Sequence, residues 1–551
     1  MSMEVYTLAA QSASAWPMPM ETAYQLQSRW GRPPRGARRP DITYCKRLLI
    51  ASVVNLWEDR PRGAITWLAD VFATSRQTIY AIGGMLCPAT ASDEPVDTTD
   101  PSGEANHLAR TALTLLFPGG TSLRPMETCL AEALGTSRSP AWLSVFLNQG
   151  GRRAGEVFAG ADWSGVNPFV ASRDEKFWDD WAYLLTVDPK SLAIVSAHVE
   201  ETVDADRWAV SLALDQDRTK GAIIGLAEDA ANWYPASLVE AVALTGAPEV
   251  LPVQKDVFHV LSRARQTLTD LERTALAKLA AAEKKATRHA HGWWHIHKWD
   301  GWQAAHAEAD AALDRAQALH GWVACLHDAL VLVDHRSGEI RDPATARWYL
   351  DEILSGLFSI DDKRVRSLAG YIADQKHQLF TALERLTPDV DAWRIAAAEH
   401  FTDPDVVRLF ERAVARAYSL ERAVVGGAHH LRPAAGRAHA TVASLCQRDP
   451  VARDLADELL ALLEDAVRTS SASECINSLL ELYLANHRSF QGRSGRQNFL
   501  NLFTLWHCMR KFSRGKRKGK SPFQLAGVRV FDPHGTETDD WLAALGYPAT
   551  P

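Results

Sequence analysis

Asp188, Asp229 and Glu474 stand where three separate elements end or begin, and carboxylates placed this way suit hard, oxygen-binding metal ions. Asp188 closes the apolar run Leu184-Leu185-Thr186-Val187, and Asp229 closes Ile223-Ile224-Gly225-Leu226-Ala227-Glu228. Glu474 opens a helical segment, Ser473-Glu474-Cys475-Ile476-Asn477, and an Asp256-Val257-Phe258-His259 box lies between the last two acids. Two divalent ions about 3.5–4 Å apart activate an attacking oxygen and steady a leaving one. The chemistry suggested is therefore phosphodiester cleavage or transfer with Mg²⁺ (or Mn²⁺) as cofactor. Placement has to carry this reading, because the chain holds 67 acidic residues and a turn carboxylate is an equally natural role for each. Asp215 and Asp217 compete for the second position but end an amphipathic helix in a manner that reads as solvated.

The elements that would position the acids follow from periodicity. From about Phe177 the pattern turns to strands, Trp181–Val187 and then Leu192–Glu200, rich in branched and aromatic residues. An amphipathic segment through Trp208, Leu212 and Leu214 leads to short apolar runs at 222–226 and 250–253, an α/β order. Between about 260 and 470 the period is helical throughout. Residues 270–290 and 303–320 pair as a long hairpin, and Asp342-Pro343 starts a helix with the stripe Leu350, Ile353, Leu354, Leu357. The expected fold is mixed α+β and predominantly α-helical, an α/β core interrupted by a large all-α insertion.

The N-terminal third reads as DNA-binding. Residues 28–47 form a basic Pro/Gly-rich arm, whose Arg32, Arg35, Arg38 and Arg39 could follow phosphates or a minor groove, or simply be solvated. Ile65, Leu68, Ala69 and Phe72 stripe one helix; a second, opened by Ser75, presents Arg76, Gln77, Thr78 and Tyr80 as the reading face of a helix-turn-helix. An acidic linker spans 88–108. A second helical pair in 109–165 turns at Gly135-Thr136-Ser137-Arg138, with Ser139-Pro140 starting its latter helix. At the other end, residues 510–520 carry seven Lys or Arg and no acid, among them Arg514, Lys516, Arg517, Lys518 and Lys520, enough to track several phosphates.

Bulk properties set limits. A length of 551 residues calls for several domains, laid out as 1–87, 88–108, 109–165, 170–260, 261–469, 470–530 and a tail at 531–551. A net charge of −7 excludes a uniformly basic surface, so nucleic acid would be met by local patches. Seven scattered cysteines without a CxxC pair indicate neither a zinc ribbon nor a disulfide framework. No run of about twenty apolar residues and no leader-like N-terminus is seen, so a cytoplasmic location without membrane contact is expected. The four histidines and four tryptophans of 289–302 could close the hairpin, stack on an unpaired base or hold a metal; regular ligand spacing for the last is missing.

From Asp188 to Gly527 the chain resembles bacterial insertion-sequence DDE transposases with an RNase H-like core, of the Mutator-like and hAT-like group. That group carries an acid at the first strand, an acid after the fourth, an Asp or Cys with a His soon after, a helical insertion and a Glu on the next core helix. The matching positions are Asp188, Asp229, Asp256/His259, about 210 inserted residues and Glu474, which lies 245 positions after Asp229. The blocks Asn498-Phe-Leu-Asn-Leu-Phe, the basic run and Leu525-Ala-Gly527 extend the likeness. The resemblance implies a transposase whose Asp188, Asp229 and Glu474 hold two Mg²⁺ ions, with Asp256 and His259 beside them. It would bind the terminal inverted repeats of its element as a dimer or larger synaptic assembly, in the bacterial nucleoid. A non-catalytic DNA-binding regulator and a metal-dependent DNA endonuclease are the alternatives.

Overall fold

The computed structural model describes residues 50, 54, 64–72, 76, 79, 103–229, 231, 233–245, 249–290, 296–486, 490 and 492–549. It is mostly helical, with one five-stranded mixed sheet. Strands β1 (Phe169–Trp178), β2 (Trp181–Val187), β3 (Ile194–Glu200), β4 (Ile223–Glu228) and β5 (Val253–Lys255) lie in the order β3-β2-β1-β4-β5. The β1–β2 and β2–β3 pairs are antiparallel, whereas β1–β4 and β4–β5 are parallel.

Strand β1 goes beyond what the sequence pattern suggested. Its Phe-Val-Ala-Ser-Arg-Asp-Glu-Lys-Phe-Trp shows no apolar alternation because both faces meet polar partners. Arg173 and Glu175 pair with Glu228 and Tyr234 on one side, while Ser172, Asp174 and Lys176 meet a helix on the other. Strand β2 is the opposite case, buried on both faces along nearly its whole length and therefore plainly readable.

In the N-terminal part, α1 (Ala64–Val71) builds a small core with Ile50 and Ile79. Helices α2 (Gly103–Leu116), α3 (Leu123–Leu134) and α4 (Pro140–Ala159) belong instead to the core around the sheet. The expected linker thus gives way to helix at Gly103, within its assigned 88–108. Ser139 caps α4 by accepting from Trp142 N at 3.2 Å, with Pro140 in the first turn, as the sequence leads one to expect.

The sheet is sandwiched by helices. One face carries α5 (Ala205–Arg218) and α6 (Tyr234–Thr245); the other carries α15 (Ser471–Leu484) and α16 (Gly492–Met509). Both edges are covered. Gln497 and Arg493 of α16 and Arg218 of α5 bond the backbone of β3, the usual cure for an exposed edge strand. At β5, Gln378 O accepts from Lys255 N, Thr381 donates to Val253 O, and Gln254 bonds Leu379 and Ala382.

Those last partners belong to the insertion. It starts with the antiparallel pair α7 (Val257–Ala290) and α8 (Ile296–Leu330), where buried Ala275 and Ala282 of α7 and Ala309, Ala312 and Ala316 of α8 allow close packing. Helices α9 (Pro343–Ser359), α10 (Lys363–Ala373), α11 (Thr381–Phe401), α12 (Pro404–Val425), α13 (Arg432–Leu445) and α14 (Pro450–Asp465) complete it around a core of its own. The N-cap Asp342 and the buried stripe Leu350, Ile353, Leu354, Leu357 stand where the pattern put them. The chain closes with α17 (Pro522–Ala526) and α18 (Trp541–Ala544). The expected tail is folded: Trp541, Leu542, Leu545 and Tyr547 enter the main core, and Arg110 bonds Asp540 and Tyr547 O. Among the described residues no helix is long and apolar enough to cross a membrane.

Helix α4 lies against α16 along Gly151 and Gly155, one turn apart. A Cβ on Gly151 would strike the Asn498 backbone, and one on Gly155 the Asn501 side chain at 2.7 Å. We expect Gly151→Ala to destabilise the protein by about 1–3 kcal/mol in denaturant unfolding. Gly436→Ala, in open space on α13, should be neutral or stabilising by up to about 1 kcal/mol.

Candidate acidic and metal-binding site

Parallel pairing decides which acids share a level. Ser172 of β1 is opposite Ala227 of β4, and Glu228 is opposite Lys255 of β5. Two residues beyond Ser172 and Ala227 come Asp174 and Asp229, so these acids stand side by side at the same end of adjacent strands. Asp256 follows Lys255 on the next strand.

Helix α15 brings Glu474 to them. Three of its residues at four-residue spacing meet three alternate residues of β1. Ser473 Oγ lies 2.7 Å from Ser172 Oγ, Asn477 donates to Asp174 Oδ2 at 2.7 Å, and Lys176 pairs with Glu481 at 2.6 Å. Two residues spaced along a strand and four along a helix cover nearly the same length, about 6–7 Å. The polar faces therefore stay in step. Glu474 emerges beside Ser473 in the first turn, where the helix dipole favours an anion.

The result is a crowded, half-buried acidic group. Burial chiefly pushes the Asp174 carboxyl up to about 6, with the charges of Asp229 and Glu474 adding and the Asn477 hydrogen bond opposing. Glu175 is pushed up to about 7, again mainly by burial, with Asp229 and Asp174 adding and the Tyr234 hydrogen bond opposing. A like charge nearby disfavours the charged form, so these carboxyls hold protons more readily than free ones. All-oxygen donors from Asp174, Asp229 and Glu474 fit a hard divalent ion.

His259 sits on the first turn of α7 with Nε2 2.9 Å from Glu474 Oε1. That hydrogen bond is the main reason its pKa rises to about 9; burial opposes, and the charges of Asp256, Glu474 and Asp229 add. Asp256, His259 and Glu474 also place ligand atoms within 4.8 Å of one another. Asp256, however, is committed elsewhere. Its Oδ1 accepts from Phe258 N and His259 N, and its Oδ2 from Ser470 N and Ser470 Oγ, both at 2.6 Å. It is a buried clamp joining the start of α7 to the start of α15.

Asp188 is the sequence candidate that the structure does not bring to this group; Asp174 stands in its place. Val187 pairs with Ser172, so Asp188 lies three residues, about 10 Å, back along β1 from the level of Asp174, on the side of β1 away from β4. Its carboxylate accepts from Lys190 N at 2.9 Å, Ser191 N at 3.2 Å and Ser191 Oγ, shaping the β2–β3 turn. Asp215, read as solvated, is wholly buried and bonded by Ser196 Oγ at 2.9 Å; Asp217 is exposed. The sequence offered no strand signal for Asp174, because Ser172 to Lys176 is an unbroken polar run without alternation.

The proposed DNA contacts are spread over the molecule. Arg32, Arg35, Gln77, Thr78 and Tyr80 lie outside the described residues, while Arg76 is helical and exposed. Arg138 is exposed at the start of α4 with its guanidinium 5.2 Å from the Trp142 ring centroid, but the body of α4 is spent on packing against α16. The basic segment is an ordered turn. Arg517 bonds the carbonyls of Pro189 and Lys190, and Lys516 pairs with Glu464. Arg514, Lys518 and Lys520 are exposed with no side-chain partner among the described residues. Of the 289–302 cluster only Gly301 and Trp302 have described side chains. A cavity of about 500 Å³ lined by Phe158, His198, Arg218, Arg493 and Gln497 lies at the β3 edge of the sheet, apart from the acids. The chain matches no protein-family model and no curated sequence.

In the metal-free protein the raised His259 pKa means that its pair with Glu474 contributes fully below about 6.5 and fades as pH rises through about 9. NMR titration should find His259 protonated at pH 8 and, in Glu474→Gln, titrating close to an ordinary histidine.

Proposed function

We propose that the protein is a DNA-strand transferase of the DDE transposase type, acting with Mg²⁺ (or Mn²⁺) on the ends of its own mobile element. The observation that carries the reading is that parallel pairing sets Asp174 and Asp229 at one level along adjacent strands, while α15, bonded to Asp174 through Asn477, carries Glu474 in its first turn. Support comes from the strand order β3-β2-β1-β4-β5, which is that of an RNase H-like core, and from the helical insertion placed between the second acid and the third. With Asp174 as the acid of the first strand, the family pattern applies to this chain better than it does with Asp188.

In this reading Asp174, Asp229 and Glu474 hold the ions, which supply an activated attacking oxygen and a stabilised leaving oxygen when bound. His259 holds Glu474 in place from the far side, and Asp256 holds the helix that carries it. Exposed Arg514, Lys518 and Lys520, together with Arg76 and Arg138, provide local positive charge toward duplex DNA on an otherwise acidic chain. Because two element ends must be cut together, a dimer or larger assembly belongs to the proposal. A nuclease would use the same residues but give no joined products.

The test uses duplexes carrying the terminal repeats that flank the coding region. Asp174→Asn, Asp229→Asn and Glu474→Gln should each lower Mg²⁺-dependent cleavage by about 100-fold or more, whereas Asp188→Asn should keep most of it once corrected for folded protein. Equal loss in Asp188→Asn and full activity in Asp174→Asn would reverse the assignment. Cleavage without joined products in the wild type would turn the reading to a nuclease.

A further inference from the structure

Behind the acids, on the opposite face of the sheet, three neighbouring strands present a charged row at one level: Arg173 on β1, Glu228 on β4 and Lys255 on β5. All three side chains are at most 4% exposed. Glu228 Oε2 lies 2.5 Å from Arg173 Nη2, and its Oε1 lies 3.2 Å from Lys255 Nζ. Lys255 Nζ also donates to the backbone carbonyl of Asp229 at 2.7 Å. The Arg173 guanidinium lies 5.1 Å from the Trp208 ring centroid and 5.0 Å from that of Tyr234. Each member of the row immediately precedes an acid: Asp174, which accepts from Asn477 on the other side of the sheet; Asp229; and Asp256, which accepts from Ser470 at the start of α15.

We propose that Arg173, Glu228 and Lys255 are positioning residues that lock the strand register on which the acidic site depends, an inference that rests on the functional reading above. Strand side chains alternate, so a one-residue slip of β4 or β5 would turn a site acid to the back and a triad residue to the front. Apolar back faces resist such a slip only through packing. A row of alternating charge resists it more strongly, because any slip leaves a buried charge unpaired. Burying three charges is a poor way to gain stability, since apolar replacements of similar volume are often as stable or more so. The row makes sense as a device for specifying position. Lys255 adds a direct hold, since its bond to Asp229 O fixes the peptide that carries that carboxylate.

The experiment combines Arg173→Met, Glu228→Leu and Lys255→Met in the full-length chain. The triple variant should melt no lower than the wild type, yet bind Mn²⁺ at least about tenfold more weakly by titration calorimetry. In the metal-free state, hydrogen exchange in peptides covering 226–231 and 253–258 should speed up, with the insertion unchanged. Lys255→Met alone should show the same two effects in smaller measure, and decides the matter if the triple variant does not fold. Mn²⁺ affinity within twofold of wild type together with unchanged exchange would overturn the proposal. If the wild type binds no Mn²⁺, the metal reading fails, and the exchange measurement still decides whether the triad holds the register.

Discussion

The architecture depends on a polar seam between β1 and α15, segments about 300 residues apart in sequence. Ser172, Asp174 and Lys176 meet Ser473, Asn477 and Glu481 rung by rung, on a strand and a helix whose repeats nearly coincide. A seam of apolar side chains would tolerate sliding of α15 by a fraction of a turn. Directional hydrogen bonds do not, and the buried Ser172–Ser473 contact has no water to fall back on. Glu474 owes its place beside Asp174 to this seam.

The insertion works on the same problem from the other side. It folds around its own core, yet its entry and exit are tied at one point, because Asp256 at the start of α7 accepts both Ser470 N and Ser470 Oγ at the start of α15. Val257 N donating to Arg468 O adds a second tie. The long excursion thus ends where it began, and its closing turn delivers Glu474 toward His259. The segment around 378–382 also covers the open edge of β5, so the insertion helps to complete the sheet as well as interrupting it.

Much of this was legible in the sequence where burial and pattern agree. Strand β2 appears where its run of apolar residues put it, and α9 begins at Asp342-Pro343 with its expected apolar stripe. The positions of Asp229, Glu474 and His259 at element boundaries were readable, and the structure has them there. Strand β1 was not, because its charged residues satisfy partners on both faces and mimic a loop, so the sequence singled out Asp188, an acid after an apolar run, and passed over Asp174. Periodicity also could not show that α4, with the look of a DNA-reading helix, is packed on α16 through Gly151. Nor could it show that the final residues return to the core through Trp541 and Tyr547.

The central claim is that Asp174, Asp229 and Glu474 form one metal site. The most direct measurement is the anomalous scattering of Mn²⁺ soaked into crystals of the full-length protein. The account predicts a peak coordinated by carboxylate oxygens of Asp174, Asp229 and Glu474, with Asp188 still engaged by Ser191. A peak held by Asp188, or one confined to Asp256 and His259 with Asp174 unengaged, would contradict it.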